Sequence, residues 1–182
     1  MSHSFAGHSE ERSDEDPALS ARRATAVRAA IPLIPLALAA LAIAAPLLST
    51  SPLLSLSIRR FFSIVCHQDP ARSFWIAGAP IAVCVRCLGI YLGAALGAVL
   101  GSAGLRPAGA WASRPRLLAA LAITAALNAL DVAAEWTGLH GNVPAMRFAF
   151  GLALGAVIGA LVARWMNESR TLNLRHAPTL PL

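Results

Sequence analysis

The sequence has little charge and contains no lysine. Only 13% of its 182 residues are charged and 57% are apolar, which gives a mean hydropathy of +0.62. An ordinary soluble domain is less apolar than this, so the composition indicates helices that cross a lipid bilayer. The chain also lacks a P-loop, a nucleotide-binding glycine pattern and a hydrolase nucleophile motif. We therefore expect neither ATP-driven chemistry nor acyl transfer.

All fifteen basic residues are arginine, and the formal net charge is +6. Most of these arginines flank apolar runs instead of forming one basic stripe, which is typical of membrane topology and argues against nucleic-acid binding. With the amino terminus inside, ten arginines fall on the inner side and five on the outer side. We therefore predict a plasma-membrane protein with both termini in the cytoplasm.

Four apolar stretches are long enough to cross a bilayer as helices. They run over residues 29–48, 82–103, 117–136 and 146–165. The fold class predicted from them is an all-α integral membrane bundle of about four transmembrane helices.

The predicted membrane domain covers residues 29–166, with a polar cytoplasmic tail on each side. Residues 1–28 should be disordered because acidic residues are followed there by arginines, and residues 167–182 form a shorter polar tail. An alternative for the first apolar run is a cleaved signal peptide, which would leave three spans.

Between the first two spans, residues 52–65 have the periodicity of a short amphipathic helix. The predicted apolar face contains Leu54, Ile58, Phe61 or Phe62, and Val65, and the predicted outward face contains Ser55, Arg59 and Ser63. Such a helix either lies on the bilayer surface or caps the bundle, and the periodicity is the same in both cases.

Glycine recurs at every fourth residue in two of the spans. The positions are Gly89, Gly93, Gly97 and Gly101 in the second span, and Gly151, Gly155 and Gly159 in the fourth. Residues four apart share one helix face, and faces of small residues let helix backbones approach closely in lipid. We predict that these two spans pack together in the same direction, with a homo-oligomer contact as the alternative use of either face.

Three polar residues lie on one face of the third span: Asn128, Asp131 and Glu135. Because an ionised carboxylate is costly in lipid, this face should turn into the bundle. Arg86 and Arg147, at the outer ends of the second and fourth spans, are the candidate counter-ions for Asp131. Such a pair either fixes the helix register or serves an ion relay or a ligand pocket.

The cysteines occur in two strings, CHQDPARS with Cys66 and His67, and CVRCLGIY with Cys84 and Cys87. Cysteines three residues apart project from one side of a helix start, where backbone N–H groups and Arg86 favour the thiolate. Thiolates bind zinc, and Cys66 with His67 would complete four ligands.

Adjacent residues such as Cys66 and His67 both bind a metal only if the backbone bends. Three protein ligands plus another group is therefore a variant of the same site, and His140 is a spare ligand candidate. The thiols could instead form a disulfide or be plain buried side chains.

At these strings the chain resembles the domain of unknown function 2085 family, small membrane proteins found mainly in bacteria. The resemblance covers roughly residues 60–162. The matching positions are Cys66, His67, Gln68, Arg72, Ser73, Cys84, Arg86, Cys87, Gly89, Tyr91, Gly93, Asp131, Arg147 and Gly151. Leu88, Val132 and Glu135 depart from the family pattern. The resemblance implies a multi-pass architecture and these site residues, and it implies no reaction because the family has no established activity.

We therefore expect a membrane protein whose outer-face site binds a metal such as zinc in a structural or ligand-handling role. The expected metal ligands are Cys66, His67, Cys84 and Cys87, and the expected polar site contains Arg72, Arg86, Asp131, Glu135 and Arg147. One alternative is a thiol–disulfide oxidoreductase that uses Cys84 and Cys87, and another is a small transporter or channel subunit that uses Asp131 and Arg147. No catalytic residue is assigned, and the ligand and oligomeric state are open.

Overall fold

The computed structural model describes residues 17–48, 50–102, 113–139, 141 and 143–175. Its helices are α1 (Pro17–Ala44), α2 (Pro52–Phe62), α3 (Val85–Ser102), α4 (Arg114–Trp136) and α5 (Pro144–Arg175). Two short 3₁₀ turns lie at Ala45–Leu47 and Pro70–Arg72, and the strands β1 (Trp75–Ile76) and β2 (Ala79–Pro80) form an antiparallel hairpin. The predicted helical membrane bundle is confirmed.

Within the described residues, four helices are long and apolar enough to cross a membrane. Their candidate spans are Ala29–Leu47, Val85–Ser102, Arg114–Trp136 and Pro144–Met166. Each bound lies within three residues of the bound predicted from the sequence. Runs of uncharged residues of this length therefore located the spans without any tertiary information.

Two helices continue beyond their apolar stretches. α1 already begins at Pro17 and α5 ends at Arg175, so parts of both predicted tails are helical. The disorder predicted for residues 1–28 does not extend to residues 17–28, because alanine, leucine and arginine there are strong helix formers. Residues 1–16 and 176–182 lie outside the described residues.

α1 packs against α3 through small side chains. Ala39, Ala42 and Ala45 are buried in one apolar cluster with residues of α2 and of the segment before α3. The backbone N–H of Ala82 donates to the carbonyl oxygen of Ala42 at 3.0 Å. The hairpin segment that precedes α3 is thereby fastened to the end of the first span.

α2 is the short helix predicted before the second span, but its buried face is narrower than the predicted one. Ile58 and Phe62 are buried, whereas Leu54, Phe61 and Val65 are 51%, 53% and 64% exposed. α2 therefore joins the core along one line of side chains and leaves most of its apolar surface uncovered within the described part of the chain.

Two polar residues of α2 that were predicted to face outward face the fold instead. The Ser55 hydroxyl donates to the carbonyl oxygen of Ala45 at 2.8 Å, and the Arg59 guanidinium donates to that of Pro80 at 2.6 Å. Turns and short strands leave carbonyl oxygens without backbone partners, and nearby polar side chains satisfy them. The outward orientation of Ser55 and Arg59 was wrong for this reason.

α3 and α5 are the most closely packed pair of helices, and their glycine rows face each other. A Cβ atom added at Gly89 would lie 2.5 Å from the carbonyl oxygen of Phe148, and one added at Gly101 would lie 2.8 Å from the Cβ of Ala163. Between these ends, an added Cβ would collide with a backbone carbonyl of the other helix at Gly93, Gly97, Gly151, Gly155 and Gly159. Later residues of α3 meet later residues of α5, so the two helices run in the same direction.

The contact at Gly97 can be tested by Gly97→Ala. We expect the free energy of unfolding in detergent to fall by about 1–3 kcal/mol, because the new methyl meets the backbone of Ala156, which cannot rotate away. Gly141→Ala is the matched control, since nothing lies within 4 Å of a Cβ at that position. Equal stability of the two variants, measured by denaturant titration of helical circular dichroism, would contradict the close backbone contact.

Candidate metal centre

The unusual side chains gather at one end of the bundle. α3 and α5 both begin at this end and α4 ends there, which follows from the ion pair of Arg86 with Asp131 and that of Arg147 with Glu135. The segment between α2 and α3 lies over the same end, because it carries Cys66 to the start of α3. Three span ends therefore converge with the segment between α2 and α3.

The three cysteines form one cluster. The sulfur atoms of Cys66, Cys84 and Cys87 all lie within 4.8 Å of one another, and all three residues are free thiols. Cys84 directly precedes α3 and Cys87 lies in its first turn, so both sulfurs project from the same side of the helix start. Cys66 is buried, and it follows the end of α2, where its N–H donates to the carbonyl oxygen of Phe62 at 2.9 Å.

Hydrogen bonds converge on the sulfur of Cys66. The backbone N–H groups of Cys84 and Gln68 donate to this sulfur at 3.2 and 3.5 Å. The thiols of Cys84 and Cys87 also hydrogen-bond to it, which holds the pKa of Cys66 well below its usual range. The hydrogen bond with Cys66 raises the pKa of Cys84. The hydrogen bonds of the cluster therefore stabilise negative charge on the sulfur of Cys66.

The bend after Cys66 is held by Gln68. Its φ of +53° lies in the left-handed region, which costs free energy for a residue with a side chain. Its side-chain amide donates to the carbonyl oxygen of Arg59 at 2.6 Å and so ties the bend to α2. No sequence pattern predicts this conformation at a glutamine.

The imidazole of His67 does not join the three sulfur atoms. His67 is exposed and borders the same cavity, but the ligand group contains the cysteines alone. The turn after α2 points Cys66 inward and leaves the next side chain outward, as adjacent residues do unless the backbone bends sharply. His140, the spare ligand candidate, lies outside the described residues.

Asp131 pairs with Arg86. The Asp131 side chain is 2% exposed, and one of its carboxylate oxygens accepts from the Arg86 guanidinium. Of the two counter-ions predicted for this carboxylate, the structure selects Arg86. The pair joins α3 to α4, and it leaves Arg147 for another partner.

Glu135 is the partner of Arg147, and it also pairs with Arg72 at 3.1 Å. One carboxylate therefore serves two guanidinium groups, one from α5 and one from the segment between α2 and α3. Arg72 in turn pairs with Asp69 at 3.2 Å. This chain of charges ties the thiol-bearing segment to the end of α4.

The polar face of α4 is turned into the bundle as predicted. Asn128 is buried, and its amide donates to the carbonyl oxygen of Phe150 in α5 at 3.0 Å and to that of Thr124 at 2.9 Å. Asp131 lies one turn further along and is buried as well. α4 therefore meets α3 and α5 through hydrogen bonds and charges in addition to apolar contact.

Asp69 was not among the candidate site residues, although the sequence carried a signal for it. Its carboxylate accepts from the backbone N–H of Ala71 at 3.0 Å and caps the turn Pro70–Arg72. An aspartate followed directly by a proline is a common start of a helical turn. That turn places Arg72 where it reaches Glu135.

A cavity of about 180 Å³ lies beside the thiol cluster. Its lining includes all three cysteines together with Arg72, Arg86 and Arg147. Thiols and guanidinium groups that are distant in the sequence therefore face one space at the end of the membrane spans.

The ion pair of Arg86 with Asp131 can be tested with Asp131→Asn. We expect the free energy of unfolding to fall by about 3 kcal/mol or more, because the substitution leaves a largely buried guanidinium without its counter-charge. The double variant Arg86→Met, Asp131→Leu should regain part of this loss, since it leaves neither charge buried.

The control for this pair is Glu168→Gln, which breaks the more exposed pair of Glu168 with Arg164 and should cost about 0.5 kcal/mol or less. Denaturant titrations of all variants in one detergent supply the comparison. A loss for Asp131→Asn no larger than that of the control would contradict a structural role for the buried pair.

Comparison with known proteins finds one matching family. The family described as "Predicted membrane protein (DUF2085)" matches residues 66–161, slightly more than half of the chain. The chain is also 45% identical over 47 residues to the uncharacterized protein MJ1492 of Methanocaldococcus jannaschii. The aligned part is 26% of this chain and 30% of that protein, so most of the relative's length has no counterpart here. No solved structure matches.

Proposed function

This chain belongs to the DUF2085 family of predicted membrane proteins, and from that premise we propose that its three cysteines form a metal centre. The observation that carries the proposal is the cluster of three sulfur atoms within 4.8 Å of one another. In a tetrahedral zinc site with Zn–S bonds of about 2.3 Å, the sulfur atoms lie about 3.8 Å apart. Small side-chain rotations would close the remaining gap.

The hydrogen bonds to Cys66 support the same proposal. A thiolate, not a thiol, binds a metal ion, and N–H groups directed at sulfur stabilise the negative charge. The N–H groups of Gln68 and Cys84 supply this at the sulfur of Cys66, and a bound cation would take the place of the thiol protons. Thiolates are soft ligands that select zinc, copper(I) or iron–sulfur clusters. We propose zinc because a three-cysteine set matches its usual structural ligands.

The proposed role of the metal is to hold the segment between α2 and α3 against the end of the helical bundle. The ligands come from two segments: Cys66 follows α2, whereas Cys84 and Cys87 stand at the start of α3. A metal that bound all three would close the intervening loop and hold it over the ends of the spans. Three protein ligands leave the fourth coordination position of the metal open. In a ligand-handling role, a small molecule would occupy that position. We assign no catalytic residue.

A thiol oxidoreductase is the second candidate, because Cys84 and Cys87 are half-buried free thiols that lie close together. The metal centre uses all three sulfur atoms of the cluster, including that of the buried Cys66, whereas the redox function uses only Cys84 and Cys87. We therefore favour the metal over the redox function. Asp131 and Arg147 each form an ion pair, and we assign them to positioning the helices and not to transport.

We further propose that the thiol cluster lies on the outer face of the plasma membrane, with both termini in the cytoplasm. The distribution of arginine supports this orientation, since ten of the fifteen fall on the side of the termini. The cluster lies where α3 begins, at the end of the bundle away from the end of α5.

The metal content of the purified protein tests the proposed metal centre. Protein purified in mild detergent without chelators should hold about one zinc per chain, and Cys66→Ser should lose most of it because a thiolate ligand is removed. His67→Ala is the neighbouring control and should keep its zinc, since the imidazole lies outside the sulfur group. Elemental analysis with circular dichroism as the folding check gives the result.

Two outcomes would contradict the metal centre. The first is wild-type protein that is folded and metal-free with all three thiols reactive toward maleimide, before and after zinc is added. The second is metal-free protein in which Cys84 and Cys87 react with maleimide only after reduction, which would support the redox candidate instead.

Reporter fusions test the orientation. Green fluorescent protein fused after residue 182 should fluoresce, and alkaline phosphatase at the same position should be inactive, because the carboxyl terminus is cytoplasmic. Both reporters inserted after Gly141, between α4 and α5, should give the reverse result. Active phosphatase at the carboxyl terminus would contradict the proposed topology.

A further inference from the structure

We propose that the cavity beside the thiol cluster binds an oxyanion, the phosphate or carboxylate group of a small ligand, with Arg147 and Arg86 as the main donors. This site goes beyond the metal centre and does not require it, because the guanidinium groups are held by carboxylates and not by the cysteines. The ligand class follows from three observations, which concern the hydrogen-bond donors, the charges and the size of the cavity.

The first observation is that two arginines in the cavity lining, Arg86 and Arg147, each carry a buried N–H donor without an acceptor among the described residues. The Arg147 side chain is 4% exposed, yet its Nε has no hydrogen-bond partner among the described residues. The Nε of Arg86 is likewise buried without a hydrogen-bond partner there. A buried donor without an acceptor costs about 1–3 kcal/mol, and native structures satisfy nearly all such groups with protein, water or ions. An oxyanion supplies several acceptor oxygens to two guanidinium groups at once.

The second observation is the charge of the cavity lining, which contains three arginines and one carboxylate, that of Asp69. Asp69 pairs with Arg72, and the two side chains are 40% and 41% exposed, so solvent screens both charges. Arg86 and Arg147 are the less exposed guanidinium groups of the lining. Both α3 and α5 also begin here, and the amino-terminal ends of helices favour anions.

The third observation is the size of the cavity, about 180 Å³. Pockets for drug-sized ligands measure about 300–1,000 Å³, so this space fits a small anion or one polar headgroup. Val65, an exposed apolar residue, borders the cavity at the end of the membrane spans. The oxyanion could therefore come from a free metabolite or from an anionic lipid, and the guanidinium chemistry is the same for both.

Where the metal centre forms, an oxygen of the ligand can take its fourth coordination position. This step alone rests on the proposed function. The contacts with Arg147 and Arg86 are independent of it, and they are what the experiment measures.

The test is calorimetric titration of full-length protein in a neutral detergent at low chloride, with inorganic phosphate and, separately, with acetate. Wild-type protein should bind at least one of these, both zinc-loaded and after chelation. Arg147→Gln should weaken the binding about tenfold or more, because a charge-assisted hydrogen-bond donor is lost. Arg164→Gln is the matched control on the same helix and should bind like wild type, since Arg164 pairs with Glu168 more than four helical turns after Arg147.

Nanodiscs distinguish the two sources of the oxyanion. If phosphatidylglycerol discs abolish phosphate or acetate binding that phosphatidylcholine discs permit, the natural ligand is a lipid headgroup; equal binding in both indicates a free anion. Arg147→Lys is the second variant if Arg147→Gln does not fold, and it should bind more weakly than wild type because lysine lacks the planar fork.

Absence of binding by the folded wild-type protein to both anions, in zinc-loaded and chelated form and in both kinds of nanodisc, would overturn the proposal. Unchanged binding by a folded Arg147 variant would do the same. Binding that survives chelation and depends on Arg147 upholds the oxyanion site even if no metal is found, so failure of the metal centre is distinguished from failure of this site.

Discussion

The close approach of α3 and α5 is the contact on which the other features of the molecule depend. The glycines on both helices let the two backbones meet with no side chain between them. Since lipid tails are as apolar as the side chains, hydrophobic burial gives little drive for this pairing, and close dispersion contact replaces it. Because the helices run in the same direction, Arg86 and Arg147 come to the same end of the bundle, near the start of each helix.

Charges then hold the third partner in place. α4 lacks a glycine row and meets its neighbours through Asn128, Asp131 and Glu135. Within the membrane such groups are costly unless each finds a partner, so the arrangement in which all of them are paired is strongly preferred over shifted registers. Glycine packing therefore determines the approach of α3 and α5, and the ion pairs determine the register of α4.

The thiol cluster depends on both arrangements and on the segment between α2 and α3. The glycine contact orients the start of α3, which carries Cys84 and Cys87. The segment carrying Cys66 is held by Gln68 against α2 and by Arg72 against Glu135. A site built in this way is held by contacts to α2, α3 and α4 and also borders a cavity, which suits both binding of a metal and binding of a small anion.

The sequence by itself determined the features that depend on local periodicity. The lengths of the apolar stretches located the four spans. A four-residue repeat put the glycines on one face of each of two helices, and a three-residue spacing put Cys84 beside Cys87. The resemblance to the family was also evident from the cysteine strings alone and is confirmed. The spans, the glycine faces and the cysteine spacing follow from helix geometry within one segment, which needs no knowledge of the neighbours.

Only the tertiary structure decided which groups meet. Arg86 and Arg147 were equally suitable partners for Asp131 in the sequence, and the relative positions of three helices assigned one to Asp131 and the other to Glu135. His67 is a predicted ligand beside Cys66, and the structure places it in the cavity lining but outside the group of three sulfurs. Ser55 faces inward because the turn after α1 offers it a carbonyl oxygen. Choices among chemically similar partners depend on three-dimensional distance, and local periodicity carries no information about it.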